Sequence, residues 1–174
     1  FLSFTLDNQL IYFDTISLGS FNFTKDLSNV LSIDIEEAEH LRKKMDKLDV
    51  SKDINKDDIE SFKIYKSRAE ELINLISHKI KNSKYYSLVD NNIIYTGYGS
   101  KSLLLNKIIK KKFETSNCRL GSSLRINGSK LMVENPSMSS AFGLLSYAMN
   151  HEIDIDESTE HVRKKSIFST IYAF

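Results

Sequence analysis

Residues Asn91-Asn-Ile-Ile-Tyr-Thr-Gly-Tyr-Gly-Ser100 constrain the fold more than any other stretch of this chain. A short apolar run (Ile93, Ile94, Tyr95) enters a turn built on Gly97 and Gly99, and apolar residues then recur at helical spacing (Leu103, Leu104, Ile108, Ile109). The pattern predicts strand, tight loop and helix in direct succession, a unit of α/β folds. Glycines in such a loop let backbone approach a ligand, and free amides at a helix start favour a nucleotide or phosphate. Packing alone also produces Gly-x-Gly at strand-to-helix turns, so the loop by itself leaves both roles open.

The flanking sequence supplies further elements. Phe1–Leu6, the turn residues Asp7-Asn8 and Gln9–Ile16 predict a β-hairpin, because Asp and Asn tolerate the dihedrals of a tight turn. Leu18–Thr24 reads as a loop, with Thr24 as N-cap of a short helix carrying Leu27, Val30 and Leu31. Asp34 and Glu37 open the next helix in the manner of a capping box, and its apolar side is Ala38, Leu41, Met45 and Leu48. Asp46–Asp58 is highly charged and reads as a connector with at most one weak strand. A long helix follows from about Ile59 to Lys81, with Phe62, Tyr65, Ala69, Leu72, Ile73, Ile76 and Ile80 as its buried stripe. Cys118–Leu120 and Ser129–Val133 predict short strands, and Asn135-Pro136 opens a largely apolar helix to about Asn150, with proline where its missing N–H costs nothing. Strands alternating with helices give an α/β fold class.

Composition narrows the function classes. A net charge of +1 over 174 residues offers no nucleic-acid footprint. The single cysteine, Cys118, excludes an internal disulfide and fits a reducing compartment; its expected place is the core. His40, His78, His151 and His161 are scattered without metal-ligand spacing and build no Ser/His/Asp arrangement. No apolar run reaches membrane-spanning length, and no signal-peptide pattern occurs. Phe1-Leu-Ser-Phe-Thr-Leu6 reads as a strand entered halfway, so the chain is expected to be a fragment.

Two local constellations have more than one reading. Glu39 and Arg42 share a side of their helix, either as an exposed i,i+3 ion pair or as a carboxylate and guanidinium lining a cleft, one accepting from ribose hydroxyls and the other stacking on a base. Lys110, Lys111 and Lys112 read as a solvated helix C-terminus that complements the macrodipole. After the acidic stretch Glu152–Glu160, the segment Arg163–Phe174 is basic, then apolar on one helical face. It fits an anionic membrane surface or a terminal element packed on the body.

In order, five motifs resemble one family, FtsA, the actin-like bacterial cell-division protein. They are Leu18-Gly-Ser-Phe-Asn-Phe-Thr-Lys-Asp26, Glu37-Ala-Glu-His-Leu-Arg42, Tyr65–Ile76 with Arg68 and Glu71, Thr96-Gly-Tyr-Gly-Ser100, and Asn135–Tyr147. The last, similar to a Pro-x-x-(Ser/Thr)-x-Ala-x-Gly-Leu-Leu-x-Tyr helix, is the most specific. The resemblance implies the second half of an actin-like (ribonuclease H-like) ATPase fold with a small reduced α/β subdomain. Residues 1–45 and 92–150 would form the nucleotide-binding subdomain, 46–91 the FtsZ-binding type subdomain with the long helix, 151–162 an acidic linker and 163–174 an amphipathic membrane-targeting tail.

The same resemblance implies ATP with Mg²⁺ in the full-length protein. Gly19, Glu39, Arg42, Gly97, Tyr98, Gly99 and Ser100 would contact the nucleotide, and Arg68 and Glu71 the C-terminal tail of FtsZ. Arg163, Lys164, Lys165, Ile167, Phe168, Ile171, Tyr172 and Phe174 would meet the inner face of the cytoplasmic membrane at the division site. Self-assembly into an actin-like filament is also implied, with at most a weak ATPase in the full-length protein and no enzyme in this chain alone. Several positions depart from the family pattern. Tyr98 replaces a loop glycine, where it stacks on adenine or closes the site; Arg42 replaces lysine; Gly19-Ser20 replaces a glycine pair; and the 46–58 region is short. The rival expectations are another actin-like ATPase (chaperone, sugar kinase or pilus-assembly type) and an interaction module that has lost nucleotide binding.

Overall fold

Leu2–Leu6 (β1) and Gln9–Asp14 (β2) pair antiparallel, as the hairpin pattern predicts, with a register irregularity between Phe4 and Thr5. The turn works because Asp7 takes a left-handed φ of 49°, which a short polar side chain tolerates. The computed structural model describes residues 1–7, 9–49, 54–88, 92–114, 117–121 and 135–150. The expected strand at Ser129–Val133, the acidic linker and the tail from Arg163 to Phe174 lie outside the described residues.

Four helices make the body: α1 (Ser20–Leu31), α2 (Ile35–Lys47), α3 (Ile59–Asn82) and α4 (Leu103–Lys112). Thr24 is not an N-cap. Helix α1 starts one turn earlier, behind Gly19, because Asn22 Oδ1 accepts from the Gly19 N–H at 2.8 Å and settles that amide. The hydroxyl of Thr24 then lies inside the helix, and the residue is 1% exposed. Asp34 caps α2 as expected, accepting from the Glu37 N–H at 2.8 Å. Acidic residues in its first turn and lysines in its last suit the helix dipole. The charged stretch after it is not all connector: Asp46 and Lys47 belong to α2, and Lys56–Asp58 forms a 3-10 turn that leads into α3.

The stripe predicted on α3 is the centre of the molecule. Tyr65 and Ala69 meet Phe23 from α1, Met45 from α2, and Leu104 and Leu105 from α4 in one hydrophobic cluster. Phe23 and Tyr65 pack ring on ring at 4.9 Å between centroids. Each of these residues is less than a tenth exposed. Helix α3 also reaches the hairpin, where Lys79 pairs with Asp14 and Tyr85 just beyond the helix lies 5.9 Å from the Tyr12 ring.

β3 (Asn92–Tyr95) and β4 (Asn117–Leu120) pair in parallel, Ile93 opposite Cys118 and Tyr95 opposite Leu120, with α4 as the crossover between them. The ladder continues one step as the Gly121 N–H donates to Tyr95 O at 2.9 Å. A Cβ at Gly121 would stand 3.0 Å from Ile94 Cγ2 and 3.2 Å from Thr96 Cβ, so a side chain here would press on the neighbouring strand. A 3-10 turn at Pro136–Met138 leads into α5 (Ser139–Asn150), an apolar helix on which Leu144, Tyr147 and Met149 are exposed. Among the described residues no helix is long and apolar enough to cross a membrane.

Candidate functional site

The turn after β3 is shaped by Gly97. Its φ of 88° with ψ of −178° is a conformation essentially reserved for glycine, and it throws the chain into the 3-10 turn Tyr98–Lys101. The expected direct passage into α4 is therefore interrupted, and the helix start is not open. Ser102 caps α4, accepting from the Leu105 N–H at 3.3 Å. Within the turn the Ser100 N–H bonds Gly97 O and the Ser102 N–H bonds Gly99 O. Ser100 is buried and its hydroxyl donates to Gly97 O at 2.6 Å. Among the described residues no atom lies within 4 Å of a Cβ placed on Gly97 or Gly99, so the turn is open on that side. Tyr98 stands there 62% exposed, with Lys101 Nζ 5.6 Å from its ring centre.

The turn is fastened on its far side. The Gly97 N–H donates to Pro136 O at 3.0 Å, and the Thr96 hydroxyl bonds that of Ser139, which donates to Pro136 O at 2.6 Å. The start of α5 thus fixes where the turn lies.

Glu39 and Arg42 pair as their spacing predicts, but not as an exposed couple. Arg42 is 6% exposed. Its Nε and Nη2 grip both oxygens of Glu39 at 2.8 and 2.7 Å, while Nη1 donates to Asp46 Oδ2 at 2.6 Å. Thr24 on α1 donates to Glu39 Oε2 at 2.6 Å. The hydrogen bonds from Arg42 outweigh partial burial and hold the Glu39 carboxyl down to about 2. The pairing in turn raises the Arg42 guanidinium, so both groups stay charged.

Asp46 also accepts from the Tyr65 hydroxyl. That hydroxyl stands 3.1 Å from Ser102 Oγ, and burial above all pushes its proton affinity up. A carboxylate only accepts, so the Tyr65 proton goes to Asp46 and Ser102 donates to Tyr65. A continuous polar line therefore runs from Thr24 through Glu39, Arg42, Asp46 and Tyr65 to Ser102, the residue that starts α4. Ser102 was detectable in the sequence as a polar residue just before an apolar run. No sequence signal ties Tyr65 to Asp46, 19 residues earlier.

The other expected site residues are placed as follows. Gly19 caps α1 in extended backbone, and no described residue comes within 4 Å of a Cβ placed on it. Arg68 pairs with both oxygens of Asp26 on α1 and with Glu71 Oε2 at 2.6 Å. Glu71 lines an open depression of about 630 Å³ on α3 with Ser67, Glu70, Asn74, Leu75 and His78. A second, of about 300 Å³, lies between α3 and α4 and includes Lys111 and Lys112. Neither includes the glycine turn. Cys118 is half-buried in β4, and burial raises its thiol. Among the described residues no three His, Cys, Asp or Glu side chains converge to hold a metal ion.

Helices on small sheets of both senses define an α/β protein. No family model matches the chain. It is 26% identical over 189 residues to the cell division protein FtsA of Rhizobium meliloti, a match covering 98% of this chain. Against FtsA of Agrobacterium fabrum it is 27% identical over 188 residues, covering 97% of the chain. FtsA of Rhizobium radiobacter matches to the same extent. The resemblance to FtsA read from five motifs is thus borne out along nearly the whole sequence, and the chain spans 41% of the length of these relatives.

Proposed function

We propose that this chain is the nucleotide-binding second half of an FtsA-like cell-division adaptor with an actin-like fold. The observation that supports this most is the similarity to FtsA over 97–98% of the chain. In this reading the adenosine end of ATP lies against Gly97, Tyr98, Gly99 and Ser100, where the backbone borders open space. Glu39, whose side chain is 35% exposed, accepts from the ribose. Arg42 acts behind it as a positioning residue, since its hydrogen bonds go to the carboxylates of Glu39 and Asp46. Gly19 lies at the edge of the same site. In this reading these residues would hold the nucleoside end, and the rest of the full-length protein would hold Mg²⁺ and the phosphates.

Residues 46–91, with Arg68 and Glu71 on α3, are proposed to receive the FtsZ tail. Residues 151–162 serve as linker, and Arg163–Phe174 as the anchor on the inner membrane face at the division site, with self-assembly into filaments alongside.

Fluorescence anisotropy of a labelled FtsZ C-terminal tail peptide titrated with the chain tests the adaptor reading. Saturable binding that Arg68→Glu weakens several-fold, with helicity retained by circular dichroism, supports it. A folded chain that leaves the peptide free overturns it in favour of another actin-like ATPase. Loss of liposome binding on deleting residues 163–174 separates the same two readings.

Two observations favour a second reading, an interaction module without nucleotide binding. Arg42 is buried and engaged within the protein, and Tyr98 occupies the outer side of the turn. A fluorescent ATP analogue titrated into the full-length protein, with and without Tyr98→Gly, decides between them.

A further inference from the structure

The polar line runs one way from Leu105 to Asp46, and Arg42 beyond it donates to both sides. Leu105 N–H donates to Ser102, Ser102 to Tyr65 and Tyr65 to Asp46; Arg42 donates to Asp46 and to Glu39, and Thr24 closes the far end. Thr24 and Ser102 are each 1% exposed and Tyr65 2%, so no water competes along the hydroxyl steps. In such surroundings hydrogen bonds polarise one another. Glu39 is the one member more than a quarter exposed, and Ser102 is the cap that sets where α4 begins, directly after the glycine turn.

We propose that Asp46 and Tyr65 are positioning residues that couple the charge on Glu39 to the N-terminus of α4, and so to the seating of the Gly97–Ser100 turn. As a consequence, what neutralises or engages Glu39 on one side of the site adjusts the turn on the other. The Arg42 hydrogen bonds and the Phe23–Tyr65 ring contact hold the groups along the line in place. The functional meaning rests on the proposal that a ligand meets Glu39; the coupling itself does not.

The test is made in the full chain without ligand, following the Leu105 amide by NMR. Glu39→Gln removes the charge and keeps the shape. It is expected to move the Leu105 amide resonance and to speed its hydrogen exchange roughly five- to tenfold, the size of a lost cap. In a Tyr65→Phe background, which keeps the ring in the core, Glu39→Gln should leave Leu105 unchanged. Asp46→Asn in place of Tyr65→Phe gives the same result if the line is the carrier, and serves if the phenylalanine variant does not fold.

A Leu105 amide indifferent to Glu39→Gln overturns the proposal, as does an equal response with and without the Tyr65 hydroxyl. Failure of the nucleotide reading would show elsewhere, as absence of ATP-analogue binding by the full-length protein with the Leu105 response intact.

Discussion

Arg68 in α3 holds Asp26 in α1 through two of its nitrogens and Glu71 in its own helix through the third, so three charges lock the two helices at mid-length. The side chains of Arg68 and Asp26 are each about a quarter exposed, so the lock lies at the rim of the core and not within it.

Arg68→Ala is therefore expected to cost about 0.5–1 kcal/mol, the range of a well-formed surface pair. The loss should shrink in high salt as screening removes the contribution. Urea denaturation at low and high ionic strength measures both.

Gly97→Ala and Gly99→Ala should part company. Neither would meet a neighbour, but only Gly97 has a left-handed φ. The strained conformation costs Gly97→Ala roughly 1–3 kcal/mol, while Gly99→Ala should stay within about 0.5 kcal/mol. Paired denaturation curves read the difference directly.

The Glu39 carboxyl titrates near 2 in the folded chain against an ordinary value of 4.5, chiefly through the Arg42 hydrogen bonds. A depressed folded-state value means that its stabilisation is complete above pH 4.5 and lost as pH falls towards 2. Stability measured against pH should decline over that window, and Glu39→Gln should flatten the decline while leaving the profile above pH 5 parallel to that of the parent chain.

Gly121→Ala forces a methyl against Ile94 and Thr96 at the end of the parallel pair. A cost of roughly 1–3 kcal/mol is expected, with faster hydrogen exchange at residue 121, whose N–H bonds Tyr95 O. Exchange rates in α1 should not change.

Periodicity made much of this legible in advance. The stripe on α3, the Asp34 cap, the hairpin and the strand, glycine turn and helix order all follow from local chemistry that the structure keeps. Local rules failed at α1, where Thr24 has the type of a cap, but the helix already begins behind Gly19, whose amide Asn22 accepts, and the Thr24 hydroxyl donates to Glu39 instead. They failed again at the candidate site. The i,i+3 spacing of Glu39 and Arg42 is visible in a sequence, whereas the burial of Arg42 depends on Asp46, Tyr65 and Thr24 converging from three helices. The steps of that line that join different helices span 15 to 37 residues and leave no periodic trace.

Gly97 and Thr96 are tied to Pro136 and Ser139 across some forty residues of chain. The turn is thus a joint with two owners. A version of the chain shortened before Asn135 would retain every residue of the strand, turn and α4 unit, yet lack the bracket from which the turn hangs. Affinities measured on such a truncation would describe a different loop, and mapping experiments on this protein should keep both ends of that bracket together.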